Sequence, residues 1–190
     1  MAGGVMKSLT AFIAALLFFP ITWAAPQETR SAVDQVLAQA PKTAWFSEGQ
    51  SKRIVYVFFD PNCAGCNFLY KSLRSFVQSG QVSIRWIPVA VVNETSLGKA
   101  AAILQAKDPI AALARNEEHY QMENGGIEED IPDAVTEQRL HANTRLLSEL
   151  PVPVVPTMVF ADRNGNAVLI QGALSPLALR KVFAQLPGAY

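Results

Sequence analysis

The stretch Ile54-Val55-Tyr56-Val57-Phe58-Phe59-Asp60-Pro61-Asn62-Cys63-Ala64-Gly65-Cys66 joins two kinds of structure in one short run. Its first half is β-branched and aromatic with no charged residue, which suits a strand buried on both faces of a sheet. Asp60-Pro61-Asn62 makes a turn. Beyond it Phe68, Leu69, Leu73, Phe76 and Val77 recur at helical spacing until Gly80 stops them, so a helix is predicted from about Cys63 to Ser79. Val82 to Val92 is a second apolar run, rich in Val and Ile, that closes a β-α-β unit. Such crossovers are right-handed, so the two strands are expected to be parallel.

This reading places both cysteines at a helix N-terminus. Unpaired N–H groups and a partial positive charge there favour thiolate over thiol, and Cys63 receives most of that effect. The i, i+3 spacing puts Cys66 one turn along on the same face, within reach for a reversible disulfide. The roles that follow are attack by Cys63 on a substrate sulfur and resolution of the mixed disulfide by Cys66. A bridge across so short a loop adds little to stability, which favours redox work over a structural role. A zinc site would need two more ligands, but His119 and His141 are too far apart in sequence for a ligand pair and read as solvated helix residues. Haem attachment would need His after the second cysteine, where Asn67 stands. No metal and no cofactor are expected.

Outward from this unit, the segment 97–150 reads as helical: Ala100 to Leu104, Ile110 to Met122 and Thr136 to Leu150, separated by Asn124-Gly125-Gly126 and Ile131-Pro132-Asp133. Thr157 to Ala161 and Ala167 to Gln171 are two strands joined through Asn164-Gly165, a hairpin signal. Ser175 and Pro176 start a last helix as N-cap and first helical residue. The order β-α-β, helical block, β-β-α is that of an α/β thioredoxin fold with an inserted helical subdomain. Pro151, Pro153 and Pro156 crowd the start of the strand at Thr157, and Pro156 is the candidate for a cis peptide beside the cysteines. Upstream, Val33, Val36, Leu37 and Ala40 predict a short amphipathic helix from Ser31 to Ala40, ended by Pro41.

The chain has 190 residues, half of them apolar, with 16 basic against 16 acidic side chains. A neutral balance offers no field for a phosphate backbone, so nucleic acid is excluded as a partner. The apolar content excludes disorder, and two cysteines exclude a multi-disulfide scaffold. Residues 1–24 read as a secretory signal peptide: Lys7, the apolar run Leu9 to Ile21, then small residues before a cleavage site near Ala24. The competing reading is an uncleaved anchor, but Pro20 interrupts the run and the uncharged stretch barely reaches the roughly 20 residues a span requires. The expected organisation is a signal peptide over 1–24, a lead-in with a linker-like helix over 25–44, and a catalytic domain over 45–190 with its insert at about 97–150. The expected compartment is oxidising, most simply a periplasm.

Val57-Phe58-Phe59-Asp60-Pro61-Asn62-Cys63-Ala64-Gly65-Cys66 resembles the F-x-D-P-x-C-x-x-C signature of the DsbC/DsbG family of thiol:disulfide interchange proteins, nearest to the DsbG catalytic domain. Ala100 to Pro109 is similar to the family's helical insert, and Val155-Pro156-Thr157 to its cis-proline loop. The resemblance covers roughly Trp45 to Leu186. It implies a periplasmic isomerase or reductase acting on protein disulfides or oxidised single cysteines, with Val155 and Pro156 in substrate binding and a DsbD-type membrane electron donor. Few residues separate the expected cleavage site from Cys63, so the family's N-terminal dimerisation domain has no counterpart there and a monomer is expected. Ala64-Gly65 replaces the family's Pro-Tyr or Gly-Tyr, and Val155 stands where DsbC and DsbG carry Thr and the oxidase DsbA carries Val. The alternative enzyme is therefore a monomeric DsbA-like disulfide oxidase. From another class, the alternative is a periplasmic chaperone or binding module whose thiols are incidental.

Overall fold

The computed structural model describes residue 1 and residues 25–120 and 126–188. The expected signal peptide, apart from Met1, lies outside the described residues, as do Asn124-Gly125 and the last two residues of the expected Ile110–Met122 helix. In chain order the elements are α1 (Ala25–Gln39), β1 (Phe46–Glu48), β2 (Ile54–Phe59), α2 (Ala64–Gln78), β3 (Ser83–Pro88), α3 (Ser96–Leu104), α4 (Pro109–Glu118), α5 (Ala134–Ser148), β4 (Thr157–Ala161), β5 (Ala167–Gln171) and α6 (Pro176–Phe183).

The sheet is ordered β1-β3-β2-β4-β5, with β2 at its centre. β2 runs parallel to β3, from Ile54 opposite Ser83 to Phe59 opposite Pro88, as a single right-handed crossover through α2 requires. β4 pairs with β2 in the opposite sense, Phe58 facing Thr157, and β5 folds back along β4. The period of two along a strand sends Val55, Val57 and Phe59 to one face, where Trp86, Met158 and Phe160 join them beneath Leu69, Leu73 and Phe76 of α2 and Leu179 and Phe183 of α6. Tyr56, Phe58, Ile87 and Val159 point to the other face, covered by Val33 and Val36 of α1 and Leu146 and Leu147 of α5. Burial on both faces is why β2 shows no polar alternation, and each such side chain is worth about 1.5–3 kcal/mol. The C-terminal end of β2 is thereby held rigidly, and the cysteines follow it directly. This is a thioredoxin-like fold with α3, α4 and α5 inserted between β3 and β4.

Several boundaries differ from the sequence reading. β1 was not expected: it has three residues, and its inward-facing Glu48 breaks the apolar pattern. The Glu48 carboxylate accepts from Trp86 Nε1 at 3.0 Å and pairs with the Arg74 guanidinium, which satisfies it in place. β3 fills only part of the run to Val92, because the N–H groups of Val91 and Val92 turn to a carboxylate instead of a neighbouring strand. α1 begins before Ser31 and gives way after Gln39 to a 3-10 turn, Ala40–Lys42, that takes Pro41 in its first positions. α3 starts at Ser96, ahead of the expected Ala100. α4 ends at Glu118, where His119 caps it. α5 starts at Ala134 because Asp133 caps it, its side chain accepting from Thr136 N at 2.7 Å. The hairpin strands β4 and β5 have the expected bounds, and Gly165 supplies the positive φ of 82° that the turn needs. Among the described residues no helix is long and apolar enough to cross a membrane.

Asn143 of α5 fastens the lead-in to the sheet. Its buried amide donates to Ala44 O at 2.8 Å and Pro88 O at 2.9 Å, and accepts from Ala44 N at 3.1 Å. Replacing Asn143 by Ala leaves these backbone groups without partners, and the expected loss is about 3 kcal/mol in urea unfolding at neutral pH. A loss below about 1 kcal/mol would show that the lead-in is not held through this side chain.

Candidate active site

Where β2 ends, a fully buried carboxylate organises the turn. Asp60 Oδ1 accepts from Asn62 N at 2.8 Å and Ser96 Oγ at 2.9 Å, and Oδ2 accepts from Val91 N at 2.7 Å and Val92 N at 3.0 Å. Asp60 O in turn accepts from Cys63 N at 3.0 Å. The carboxylate thus ties the β2–α2 turn to the β3–α3 connection. Asn62 extends the same clasp: its amide reaches Asn93, Thr95 and Ser96, its Oδ1 accepts from Lys99 Nζ at 2.8 Å, and its carbonyl accepts from the Tyr120 hydroxyl at 3.0 Å.

Cys63 is the N-cap of α2, with extended φ and ψ of −90° and 114°, and its Sγ accepts from Cys66 N at 3.1 Å. A sulfur here does what a Ser or Asp oxygen does at other helix starts, and an anion does it better. The Cys63 thiol is held below the ordinary value of 9.0, chiefly by its hydrogen bond from Cys66, against burial and the Asp60 charge, which push the other way. Cys66 is only 2 % exposed, and burial drives it well above that value, with the Cys63 hydrogen bond and the Cys63 charge adding to the effect. One thiol is favoured as thiolate; the other is favoured in its protonated form. Both are free.

The Val155–Pro156 peptide is cis. Cys63 Sγ lies 3.6 Å from Val155 O, to which it donates as a thiol. Pro156 packs directly on the cysteine turn: a Cβ built on Gly65 would sit 3.2 Å from Pro156 Cδ and 3.8 Å from Cys63 Sγ. The four residues predicted as site residues, Cys63, Cys66, Val155 and Pro156, therefore meet in one place. His119 and His141 do not: both are exposed, His119 closing α4 on Arg115 O and His141 beside Glu137.

A layer of polar side chains beneath the pair escapes the sequence reading. Glu117, 2 % exposed, accepts from Asn67 Nδ2 at 2.8 Å and Asn116 Nδ2 at 3.2 Å, and burial raises its carboxyl to about 7 against the pull of those amides and of Lys71. The available signal was phase. Asn116 and Glu117 continue the stripe of Ala112 and Leu113, the buried face of α4, where a polar pair at core positions calls for a reason.

This chain belongs to the thioredoxin-like domain family, whose model matches residues 39–187. Within that class it is similar to two proteins named thiol:disulfide interchange protein DsbG. One, from Pseudomonas aeruginosa, is 32 % identical over 143 residues, 74 % of this chain and 56 % of that protein. The other, from Escherichia coli, is 31 % identical over 127 residues, 64 % of this chain and 50 % of that protein. The chain spans about half the length of these curated relatives. Among solved structures, a linker-deletion mutant of Proteus mirabilis ScsC superposes with a TM-score of 0.69 at 18 % identity, covering 84 % of each chain, a likeness of fold.

Two outcomes test the site. Alkylation by iodoacetamide should follow a thiolate with a midpoint below 9.0 that disappears in Cys63→Ser, while Cys66 stays unmodified until far higher pH. The sign for stability follows: the lowered thiol stabilises the reduced fold fully above pH 9, and that contribution is lost as pH falls through the Cys63 midpoint. Asp60→Asn should cost about 2–3 kcal/mol, since the new amide turns hydrogens toward donors; unaltered urea unfolding would refute the clasp.

Proposed function

We propose that this chain is a periplasmic, DsbG-like thiol:disulfide oxidoreductase that reduces or isomerises protein disulfides, or reduces oxidised single cysteines. The observation that carries the reading is the N-cap position of Cys63, its sulfur bonded by Cys66 N at 3.1 Å and 3.6 Å from the carbonyl of Val155 before the cis proline. The Cys63 thiolate attacks a substrate disulfide in line, the substrate's second sulfur leaves as thiolate, and a mixed disulfide remains. In isomerisation a substrate thiolate then displaces Cys63. In reduction Cys66 attacks Cys63 Sγ, and the pair leaves oxidised while the substrate leaves reduced. Val155 offers backbone groups for an extended substrate strand beside Pro156. A DsbD-type membrane donor returns the pair to dithiol, and residues 1–24 serve as the signal peptide of a monomeric protein.

The reducing direction rests on the likeness to the two DsbG proteins, 32 % and 31 % identical. A reducing couple lies below the DsbA value of about −120 mV. Equilibration with a glutathione buffer is expected to give a lower potential than that; a value at or above it would assign the chain to oxidation. In insulin reduction, Cys63→Ser should be inactive and Cys66→Ser should accumulate mixed disulfides with substrate. Full activity in Cys63→Ser would refute the proposal.

A further inference from the structure

Cys63 can cap α2 only if the peptide unit that delivers it is held at one angle. The Asn62–Cys63 unit is planar and pivots as a whole between its two Cα atoms, and any pivot changes φ of Cys63. A different φ swings Cβ and Sγ away from Cys66 N. The φ of −90° and the 3.1 Å bond that makes the sulfur a cap therefore depend on what grips this one plane.

Both of its edges are gripped. On one edge Cys63 N donates to Asp60 O at 3.0 Å, a bond within the turn itself. On the other, Asn62 O accepts from the Tyr120 hydroxyl at 3.0 Å, a contact that spans 58 residues of sequence. In a trans peptide these two groups point in opposite directions, so together the bonds resist pivoting either way. Tyr120 is half-buried and is the first residue past the cap of α4. The residue before it is tied on both sides: His119 N donates to Arg115 O at 3.1 Å, and His119 O accepts from Gly126 N at 3.0 Å. The other bonds of Asn62 hold its side chain, on Asn93, Thr95, Ser96 and Lys99, and its own N–H, on Asp60 Oδ1. They leave the plane beyond its Cα to Asp60 O and Tyr120.

We infer that Tyr120 is a positioning residue for Cys63: through the Asn62 carbonyl, its hydroxyl locks the peptide plane that aims the Cys63 sulfur at the start of α2. The inference rests on the thiol:disulfide exchange reading above, in which Cys63 makes the attack. Burial first, then the charges of Cys63, Glu117, Cys66 and Asp60, push the Tyr120 phenol above its ordinary value of 10.0, so it keeps its proton and stays a donor after Cys63 ionises. The other groups that face Cys63 are Cys66 in α2, which favours its thiolate, and Asp60 in the turn, which opposes it; the cis-proline loop presents the Val155 carbonyl. Removing the Tyr120 oxygen alters none of these directly. It leaves Asn62 O without its donor and frees the plane to pivot, which lengthens the bond from Cys66 N and disfavours the thiolate.

The test is the pH profile of iodoacetamide alkylation of Cys63 in the reduced full-length protein. The rate climbs as thiolate forms and levels off once ionisation is complete, so the profile yields a midpoint and a plateau separately. Phenylalanine keeps the ring and removes only the donor. In Tyr120→Phe the midpoint is expected to rise by at least about half a pH unit, slowing alkylation below it about three-fold or more, while the plateau stays within about two-fold of wild type. An unmoved midpoint overturns the inference whatever happens to urea unfolding, since a hydroxyl that only stabilised the fold would leave the thiol alone. A lowered plateau with an unmoved midpoint overturns it as well, because that pattern belongs to a residue that controls access. A second measurement needs no variant: in carbon-13 tyrosine-labelled wild type the Tyr120 Cζ resonance should hold its phenol position through the whole Cys63 titration. Conversion to phenolate at or below the Cys63 midpoint removes the donor and overturns the inference. The exchange reading fails separately, through full insulin reduction by Cys63→Ser, in which Tyr120 is untouched.

Discussion

The site depends first on one buried anion. Asp60 receives hydrogen bonds from three backbone N–H groups and a serine hydroxyl, and these donors come from two separate connections at the same end of the sheet. Without that carboxylate the turn after β2 and the loop after β3 would have to satisfy their own amides, and both would relax toward solvent. With it, Cys63 emerges at a fixed angle, its own N–H spent on Asp60 O and its sulfur facing the first turn of α2. The arrangement carries a cost, since the same charge opposes the Cys63 thiolate. Rigidity and reactivity are in tension at this position, and the hydrogen bonds from Cys66, its thiol first and its N–H after it, decide the balance for reactivity.

The two thiols, one turn apart, live in opposite environments. Cys63 caps a helix and lies against the cis-proline loop, while Cys66 is sealed among Leu69, Tyr70 and the sheet. Identical side chains thus acquire different chemistry from burial and from the hydrogen-bond donors of the first helical turn. The contrast is built into the first turn of one helix: the Cys63 sulfur is where the helix is positive, and the Cys66 sulfur is where water is excluded.

Much of this was legible because it is local. The run from Ile54 to Phe59, the turn and the amphipathic stretch to Gly80 each declare themselves by pattern, and the hairpin at Asn164-Gly165 follows from turn chemistry alone. Cys63, Cys66 and Pro156 could be singled out for the same reason. What could not be read is what depends on long-range partners. β1 is short and carries an inward Glu48 whose partners lie on α2 and β3. Asp60 looks like an ordinary turn former until Val91, Val92 and Ser96 arrive from another part of the chain. The phase of Glu117 with Ala112 and Leu113 points it inward, but its partner Asn67 lies on another helix and shows only in the fold.

The contributions of α3 and α4 give the insert a meaning beyond added bulk. Ser96, Lys99, Asn116 and Glu117 all come from it, and all touch the segment from Asp60 to Asn67. The strand, turn and helix that hold the sulfurs are shared architecture, while the polar groups that surround them are supplied by a separable stretch of chain. Substitutions in the insert can therefore retune the thiols without disturbing the core of the sheet. A lineage carrying this fold could change how readily its sulfurs give up protons or electrons while every residue of the C-x-x-C motif stayed the same.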